Sequence, residues 1–131
     1  MPRFLRWLAL GLALAGAAAI AEDRKTVQAV HFAKGASASS VSGRVHGYDT
    51  ASYTLGAKAG QTMQVRLTGS ANAYFNVIAP GQDFAMEEAI ERTEWSGELP
   101  ADGSYRIEVF QPRAQARRGE TAEYTIHFWI D

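Results

Sequence analysis

The chain has 131 residues, of which 47% are hydrophobic, and it contains no cysteine. Disulfide bonds, thiol chemistry and cysteine metal sites are therefore excluded. The formal net charge of −1 gives no general attraction for nucleic acid, so a nucleic-acid partner is not expected.

The first 21 residues are predicted to be a cleavable signal peptide. Arg3 and Arg6 form a positive start, Trp7–Ala18 is an uncharged apolar run, and Ala19–Ala21 fits the small-x-small cleavage signature. A membrane anchor is the alternative, but the apolar run is shorter than the ~20 residues that cross a bilayer. Because no cysteine follows the cut, a lipoprotein is disfavoured. The sequence therefore predicts an exported protein.

The part that remains after cleavage, residues 22–131, is predicted to be one domain that is free of the membrane. Without Arg3 and Arg6 it carries 11 basic and 14 acidic residues, a net charge of −3. About 110 residues are enough for a single hydrophobic core. An exported domain without disulfides must be held by that core alone.

Alternation of apolar and polar residues predicts a series of short strands, because successive side chains of a strand face opposite sides of the sheet. In chain order the candidates are Val27–Phe32, Val41–His46, Ser52–Leu55, Met63–Thr68, Tyr74–Ala79, Thr93–Leu99, Tyr105–Val109 and Ala122–Ile130. Tyr74–Ala79 is mostly apolar, which predicts a central strand buried on both faces. A short helical turn is predicted over Asp83–Arg92. Glycine and proline between the strands favour an all-β fold, an antiparallel β-sandwich of about eight strands.

The last two strands are predicted to form a hairpin that presents a cationic loop. The loop, PRAQARRGE, carries Arg113, Arg117 and Arg118 and is too polar to be buried. Loops on a rigid scaffold often carry function, so this loop is the first candidate for a binding site. The alternative is a solubilising turn in which one arginine pairs with Glu120 or Glu123.

Four stretches resemble the pre-peptidase C-terminal type of β-sandwich. They are YDTASYTLGAKAGQTMQVRL (48–67), FNV (75–77), LPADGSYRIEV (99–109) and AEYTIHF (122–128). The resemblance covers nearly all of residues 22–131. It implies the fold, but its motifs are mostly turn and core patterns, so it says little about function.

Two further segments are similar to the periplasmic inhibitors of goose-type lysozyme. They are SGRVHGY (42–48) and AQARRGETAEY (114–124). This resemblance implies a periplasmic protein that binds goose-type lysozyme and is not an enzyme. It also implies that Arg117 or Arg118 points toward a catalytic carboxylate of the lysozyme, with Arg113 and Tyr48 at the rim.

Two polar residues in turns complete the candidate site, and each has a structural alternative. Tyr48 lies in a Gly-Tyr-Asp turn with little core to fill, and exposed tyrosines are enriched at interfaces. A tyrosine at a sandwich corner can instead hydrogen-bond the backbone through its hydroxyl. Ser104 is expected to lie beside the arginine loop, although turn chemistry also explains it.

Signals for catalysis are weak in this sequence. The acidic cluster is formed by Glu87, Glu88, Glu91 and Glu94. Paired carboxylates can hydrolyse glycosides, but nothing in the sequence buries one of these against an apolar partner. The three histidines lie on separate predicted strands, and there is no calcium loop, nucleophile elbow or cofactor motif. No cofactor and no metal are expected.

The sequence therefore predicts a periplasmic inhibitor that blocks the cleft of goose-type lysozyme with a cationic loop. The alternative is an envelope- or carbohydrate-binding sandwich, in which Trp95, Trp129 or Tyr74 stacks on sugar. For Trp95 and Trp129 a structural role, covering the edge of the sandwich core, is favoured over stacking on sugar. The sequence leaves open a homodimer through an exposed edge strand.

Overall fold

A computed structural model describes residues 23–131 and contains two four-stranded β-sheets. The predicted signal peptide, residues 1–21, lies outside the described residues. The strands are β1 (Lys25–Ala29), β2 (Ala38–His46), β3 (Thr50–Ala57), β4 (Thr62–Thr68), β5 (Tyr74–Ile78), β6 (Glu94–Glu98), β7 (Gly103–Phe110) and β8 (Thr121–Ile130). The prediction of an all-β sandwich of about eight strands is confirmed.

The strand order is β1-β3-β7-β5 in the first sheet and β2-β8-β4-β6 in the second. Neighbouring strands are antiparallel, with the exception of β1 and β3, which are parallel from Lys25↔Thr50 to Ala29↔Thr54. The two sheets are therefore antiparallel except at the N-terminal strand. The parallel pair places the start of β1 at the same end of the sandwich as the start of β3.

The predicted hairpin of the last two strands is wrong. β7 pairs with β3 and β5 in the first sheet, whereas β8 pairs with β2 and β4 in the second. The segment between them therefore crosses from one sheet to the other. It contains a short helix, α1 (Arg113–Arg117), where a loop was predicted.

The prediction of a central position for β5 is also wrong, because β5 is an edge strand. Its side chains alternate between buried and half-buried positions instead of being buried on both faces. The following segment covers part of this edge. Phe75 and Arg92 exchange backbone hydrogen bonds of 2.8 and 2.9 Å, and the Met86 amide donates to the Val77 carbonyl at 2.8 Å. The helical turn predicted over Asp83–Arg92 is reduced to a 3₁₀ turn at Glu87–Ala89.

The core lies between the two sheets and is built from the inward positions of the alternating pattern. The first sheet contributes Tyr53, Leu55, Phe75, Val77, Tyr105, Ile107 and Val109, and the second contributes Val45, Met63, Val65, Leu67, Trp95, Tyr124, Ile126 and Phe128. Two tyrosines join the sheets through the core, because the hydroxyl groups of Tyr53 and Tyr124 are 2.6 Å apart. A third tyrosine, Tyr105, fixes a corner: its hydroxyl donates to the Ala101 carbonyl at 2.7 Å.

The hydrogen-bonded pair of Tyr53 and Tyr124 requires a glycine at position 43. A Cβ atom at position 43 would lie 2.7 Å from the Tyr124 hydroxyl oxygen and 3.0 Å from that of Tyr53. We expect Gly43→Ala to lower the free energy of unfolding by about 1–3 kcal/mol, the usual cost of overpacking a core.

Urea unfolding of Gly43→Ala measures this cost, and Gly56→Ala is the matched control. Gly56 lies on β3 with no atom within 4 Å of an added Cβ, so the same chemical change should be nearly neutral there. Equal stability of the two variants would contradict the steric argument.

Candidate functional site

Three of the five predicted site residues lie on or directly after α1. The helix is made of good helix formers, and its buried Ala116 faces the protein. It ends in a left-handed turn at Gly119, whose φ is +69°. The Gly119 amide donates to the Ala116 carbonyl at 3.0 Å, and the Glu120 amide donates to the Gln115 carbonyl at 3.2 Å. These two hydrogen bonds fix where the chain leaves the helix.

The arginines of this segment are exposed to solvent. Arg113 and Arg117 are four residues apart, which places them on the same face of the helix. Among residues 23–131 neither of them makes an ion pair within 4.0 Å. Arg118 differs, because its Nε lies 2.6 Å from Glu120 Oε2. The predicted alternative of an arginine paired with Glu120 therefore holds for Arg118.

Glu120 also contacts a second loop. The Asn72 side-chain amide donates to Glu120 Oε1 at 3.2 Å, so the carboxylate joins the β4–β5 connection to the end of the α1 segment. The carboxylate is thereby held by two partners, and it holds the Arg118 guanidinium in turn. Of the three arginines, Arg118 has the most restricted side chain and the most neutralised charge.

Tyr48 lies at the same end of the sandwich, in the turn between β2 and β3. Its side chain is 50% exposed. The neighbouring Asp49 fixes the turn, since its carboxylate accepts hydrogen bonds from the backbone amides of Arg24 at 2.8 Å and of His46 at 3.2 Å. No hydrogen bond from the Tyr48 hydroxyl occurs among the described residues. The corner role that was the alternative for Tyr48 is filled by Tyr105.

The two segments touch each other through the backbone. The Gly47 amide donates to the Glu120 carbonyl at 2.9 Å, and a Cβ atom at Gly47 would be 3.6 Å from the Ala116 carbonyl oxygen. Tyr48 and the three arginines are thus carried by adjoining segments. We call this surface, formed by residues 47–49 and 111–120, the arginine end.

Ser104 does not belong to the arginine end. It is the second residue of β7 and pairs with Gly56 at the end of β3, whereas the arginine segment follows Phe110. Ser104 lies six positions before Phe110 along the strand, a distance of about 20 Å. The expectation that Ser104 lies beside the arginine loop is therefore wrong.

The residues of the glycan-binding alternative are mostly unavailable. Trp95 is 3% exposed and belongs to the core, so it cannot stack on a sugar. Trp129 is half-buried and stacks on His127, with ring centroids 5.9 Å apart. Tyr74 is half-buried on the edge strand β5.

No histidine among residues 23–131 forms an ion pair with a carboxylate. His127 is hydrogen-bonded on both ring nitrogens, at 2.8 Å to Ser40 Oγ and at 3.1 Å to Thr68 Oγ1, and the described residues offer it no carboxylate. Within the same range no group of three or more His, Asp or Glu side chains could hold a metal ion. None of the helices described is long and apolar enough to cross a membrane.

The sequence patterns did not identify the residues that hold the arginine end together. Gln111, Asp49 and Asn72 form hydrogen bonds to partners between 3 and 66 residues away. Alternation and turn composition report on neighbours along the chain, so contacts of this kind leave no signal in a single sequence.

Comparison with known proteins gives a consistent result. No family model matches the chain. An Escherichia coli (strain K12) protein described as an inhibitor of g-type lysozyme is 33% identical over 110 residues, which cover 77% of this chain and 78% of that protein.

Two solved structures are also similar. Aeromonas hydrophila PliG, a periplasmic lysozyme inhibitor of g-type lysozyme, is 48% identical, with a TM-score of 0.77 over 84% of this chain and 100% of that chain. Salmonella Typhimurium PliG, also a periplasmic lysozyme inhibitor of g-type lysozyme, is 28% identical, with a TM-score of 0.67 over 82% of this chain and 98% of that chain.

Proposed function

This chain belongs to the family of periplasmic inhibitors of g-type lysozyme, and we propose that it inhibits a g-type lysozyme by placing its arginine end in the active-site cleft. The named relatives are inhibitors and not enzymes, in agreement with the prediction that this chain acts by binding. The signal peptide predicted at residues 1–21 fits the periplasmic location of the family.

The observation that carries this proposal is that a short helical segment with a fixed end presents three exposed arginines beside an exposed tyrosine. A muramidase cleft contains acidic catalytic groups. Arginine suits such a target because its guanidinium is always charged and can meet a carboxylate with two hydrogen bonds. Tyr48 supplies apolar contact area at the rim, as exposed tyrosines commonly do at interfaces.

The three arginines have different roles in this proposal. Arg117 and Arg113 lie on one helix face without an ion-pair partner among the described residues, so their charges are free to meet a carboxylate. Arg118 is already paired with Glu120, and the Glu120 carboxylate would repel an acidic group that approached it. We therefore assign the central contact to Arg117, with Arg113 and Tyr48 beside it and Arg118 in a supporting position.

Charge also favours association from a distance. Residues 22–131 have a net charge of −3, whereas the arginine end, with three arginines against Asp49 and Glu120, has a local net charge of +1. A local positive patch accelerates encounter with an acidic cleft, and this effect weakens as salt is added.

An inhibition assay tests the proposal. Residues 22–131 are mixed with goose-type, chicken-type and invertebrate-type lysozymes, and lysis of peptidoglycan-exposed cells is followed at increasing salt concentration. We expect selective inhibition of the goose type that weakens as salt is added. Absence of inhibition with all three enzymes would remove the function, and binding to purified peptidoglycan without lysozyme would then favour the glycan-binding alternative.

A further inference from the structure

Gln111 is a buried amide at the base of the arginine end. It is the first residue after β7, and its side chain is 5% exposed. Its side-chain nitrogen donates to the Glu120 carbonyl at 2.6 Å and lies 3.4 Å from each of the Val45 and Gly47 carbonyl oxygens. Since all three partners are acceptors, the NH₂ group and not the oxygen must face them.

These three carbonyls belong to the two segments that carry the proposed contact residues. Val45 and Gly47 lead into the turn that presents Tyr48, and Glu120 ends the segment that presents the arginines. Gln111 itself begins that segment. One side chain therefore connects the start of the arginine segment, its end and the tyrosine turn.

The geometry points to Gln111 as a positioning residue for lysozyme inhibition, which holds Tyr48 and the α1 arginines in one fixed arrangement before the enzyme binds. This inference rests on the proposed function. Holding two binding segments in their bound geometry lowers the entropy lost on association. A site whose supporting contacts are loosened keeps its residues but binds more weakly.

A role in stability alone explains the geometry less well. The Glu120 carbonyl already accepts a hydrogen bond from the Gly47 amide at 2.9 Å, so it does not need Gln111 to be satisfied. In addition, the Gln111 side-chain oxygen is buried and accepts no hydrogen bond from the described residues. Burying such an acceptor opposes folding, whereas an apolar side chain of similar size would avoid that cost.

The test compares two substitutions at opposite ends of β7. Gln111→Met keeps the length of the side chain and removes the amide. Tyr105→Phe is the matched control, because it removes a side-chain hydrogen bond to the backbone at the far corner, where the Tyr105 hydroxyl meets the Ala101 carbonyl at 2.7 Å. Thermal unfolding and the inhibition constant for a g-type lysozyme are measured for both variants and for the unchanged protein.

We expect Tyr105→Phe to melt at a lower temperature and Gln111→Met to change the melting temperature little, but Gln111→Met alone to raise the inhibition constant, by about tenfold. We also expect the loss caused by Tyr48→Ala to be smaller in the Gln111→Met background, because the tyrosine is no longer held in its binding position. Faster hydrogen exchange at the Gly47 amide would report the loosened contact directly.

Gln111→Asn is a second variant, for the case that Gln111→Met does not fold. It keeps the amide but is one methylene shorter, so it cannot reach all three carbonyls, and it should weaken inhibition in the same way. Inhibition equal to that of Tyr105→Phe would overturn the positioning role while leaving the proposed function standing. If the unchanged protein inhibits no g-type lysozyme, both the proposed function and the positioning role are overturned.

Discussion

Arg117→Ala is expected to raise the inhibition constant for a g-type lysozyme at least about tenfold, the usual effect of removing a central interface residue. Arg117 is exposed, shares a helix face with Arg113 and makes no ion pair with the described residues. The double variant Arg113→Ala/Arg117→Ala should lose about a hundredfold if the two contacts are independent. Inhibition assays at fixed salt measure both effects.

Arg118→Ala should have the smallest effect of the three arginine substitutions, because Arg118 lies 2.6 Å from Glu120 and its charge is partly neutralised. The melting temperature should stay unchanged for Arg117→Ala, since an exposed side chain without a partner contributes little to folding. Arg66→Ala, an exposed arginine on β4, is the control for the general loss of one positive charge. Unchanged inhibition by the double variant Arg117→Ala/Arg118→Ala would contradict the proposed mechanism.

Alkaline pH is expected to unfold the protein more readily than a sandwich without the buried tyrosine pair. Burial raises the pKa of both Tyr53 and Tyr124 above the ordinary tyrosine value. Above about pH 10, tyrosines ionise in the unfolded chain, while burial disfavours ionisation of this pair in the folded chain. The folded state then binds more protons than the unfolded state, so the free energy of unfolding falls as the pH rises.

The expected loss is about 1.4 kcal/mol per pH unit for each tyrosine that ionises only in the unfolded chain. A loss of this size per pH unit is a substantial part of the stability of an ordinary domain. Below pH 10 the contribution is fully present. Urea unfolding at a series of pH values from 8 to 12 measures the slope.

The double variant Tyr53→Phe/Tyr124→Phe should flatten this dependence. At pH 8 it should be close to the unchanged protein in stability, because both hydroxyls are removed together. Tyr124→Phe alone leaves the Tyr53 hydroxyl without its partner and should cost about 1–3 kcal/mol. If the free energy of unfolding fell equally steeply above pH 10 with and without the tyrosine pair, the role assigned to the pair would be contradicted.

The arginine end shows how far local sequence information extends. The polarity of PRAQARRGE predicted an exposed cationic segment, and Arg113, Arg117 and Arg118 are exposed. The sequence did not predict that the segment coils into α1, and it left open which arginine pairs with Glu120. It also placed Ser104 at this end. Ser104 instead lies about 20 Å along β7 from Phe110, after which the arginine segment begins.

The sequence by itself determined where most of the strands lie and, for most of them, which face is buried. Apolar side chains at every second position, separated by glycine and proline turns, predicted about eight strands, and residues 23–131 contain eight. Alternation carries this information because the side-chain period of a strand is two and one face must leave water.

Only the tertiary structure decided which strands are neighbours. β7 and β8 show the same alternation whether they pair with each other or lie in opposite sheets, and the ten residues between them are long enough to cross the sandwich. The register of β7 on β3, and of β8 on β2 and β4, fixed that choice by burying both inner faces in one core. The same choice brought the Tyr48 turn against the α1 segment and placed the Gln111 amide between them.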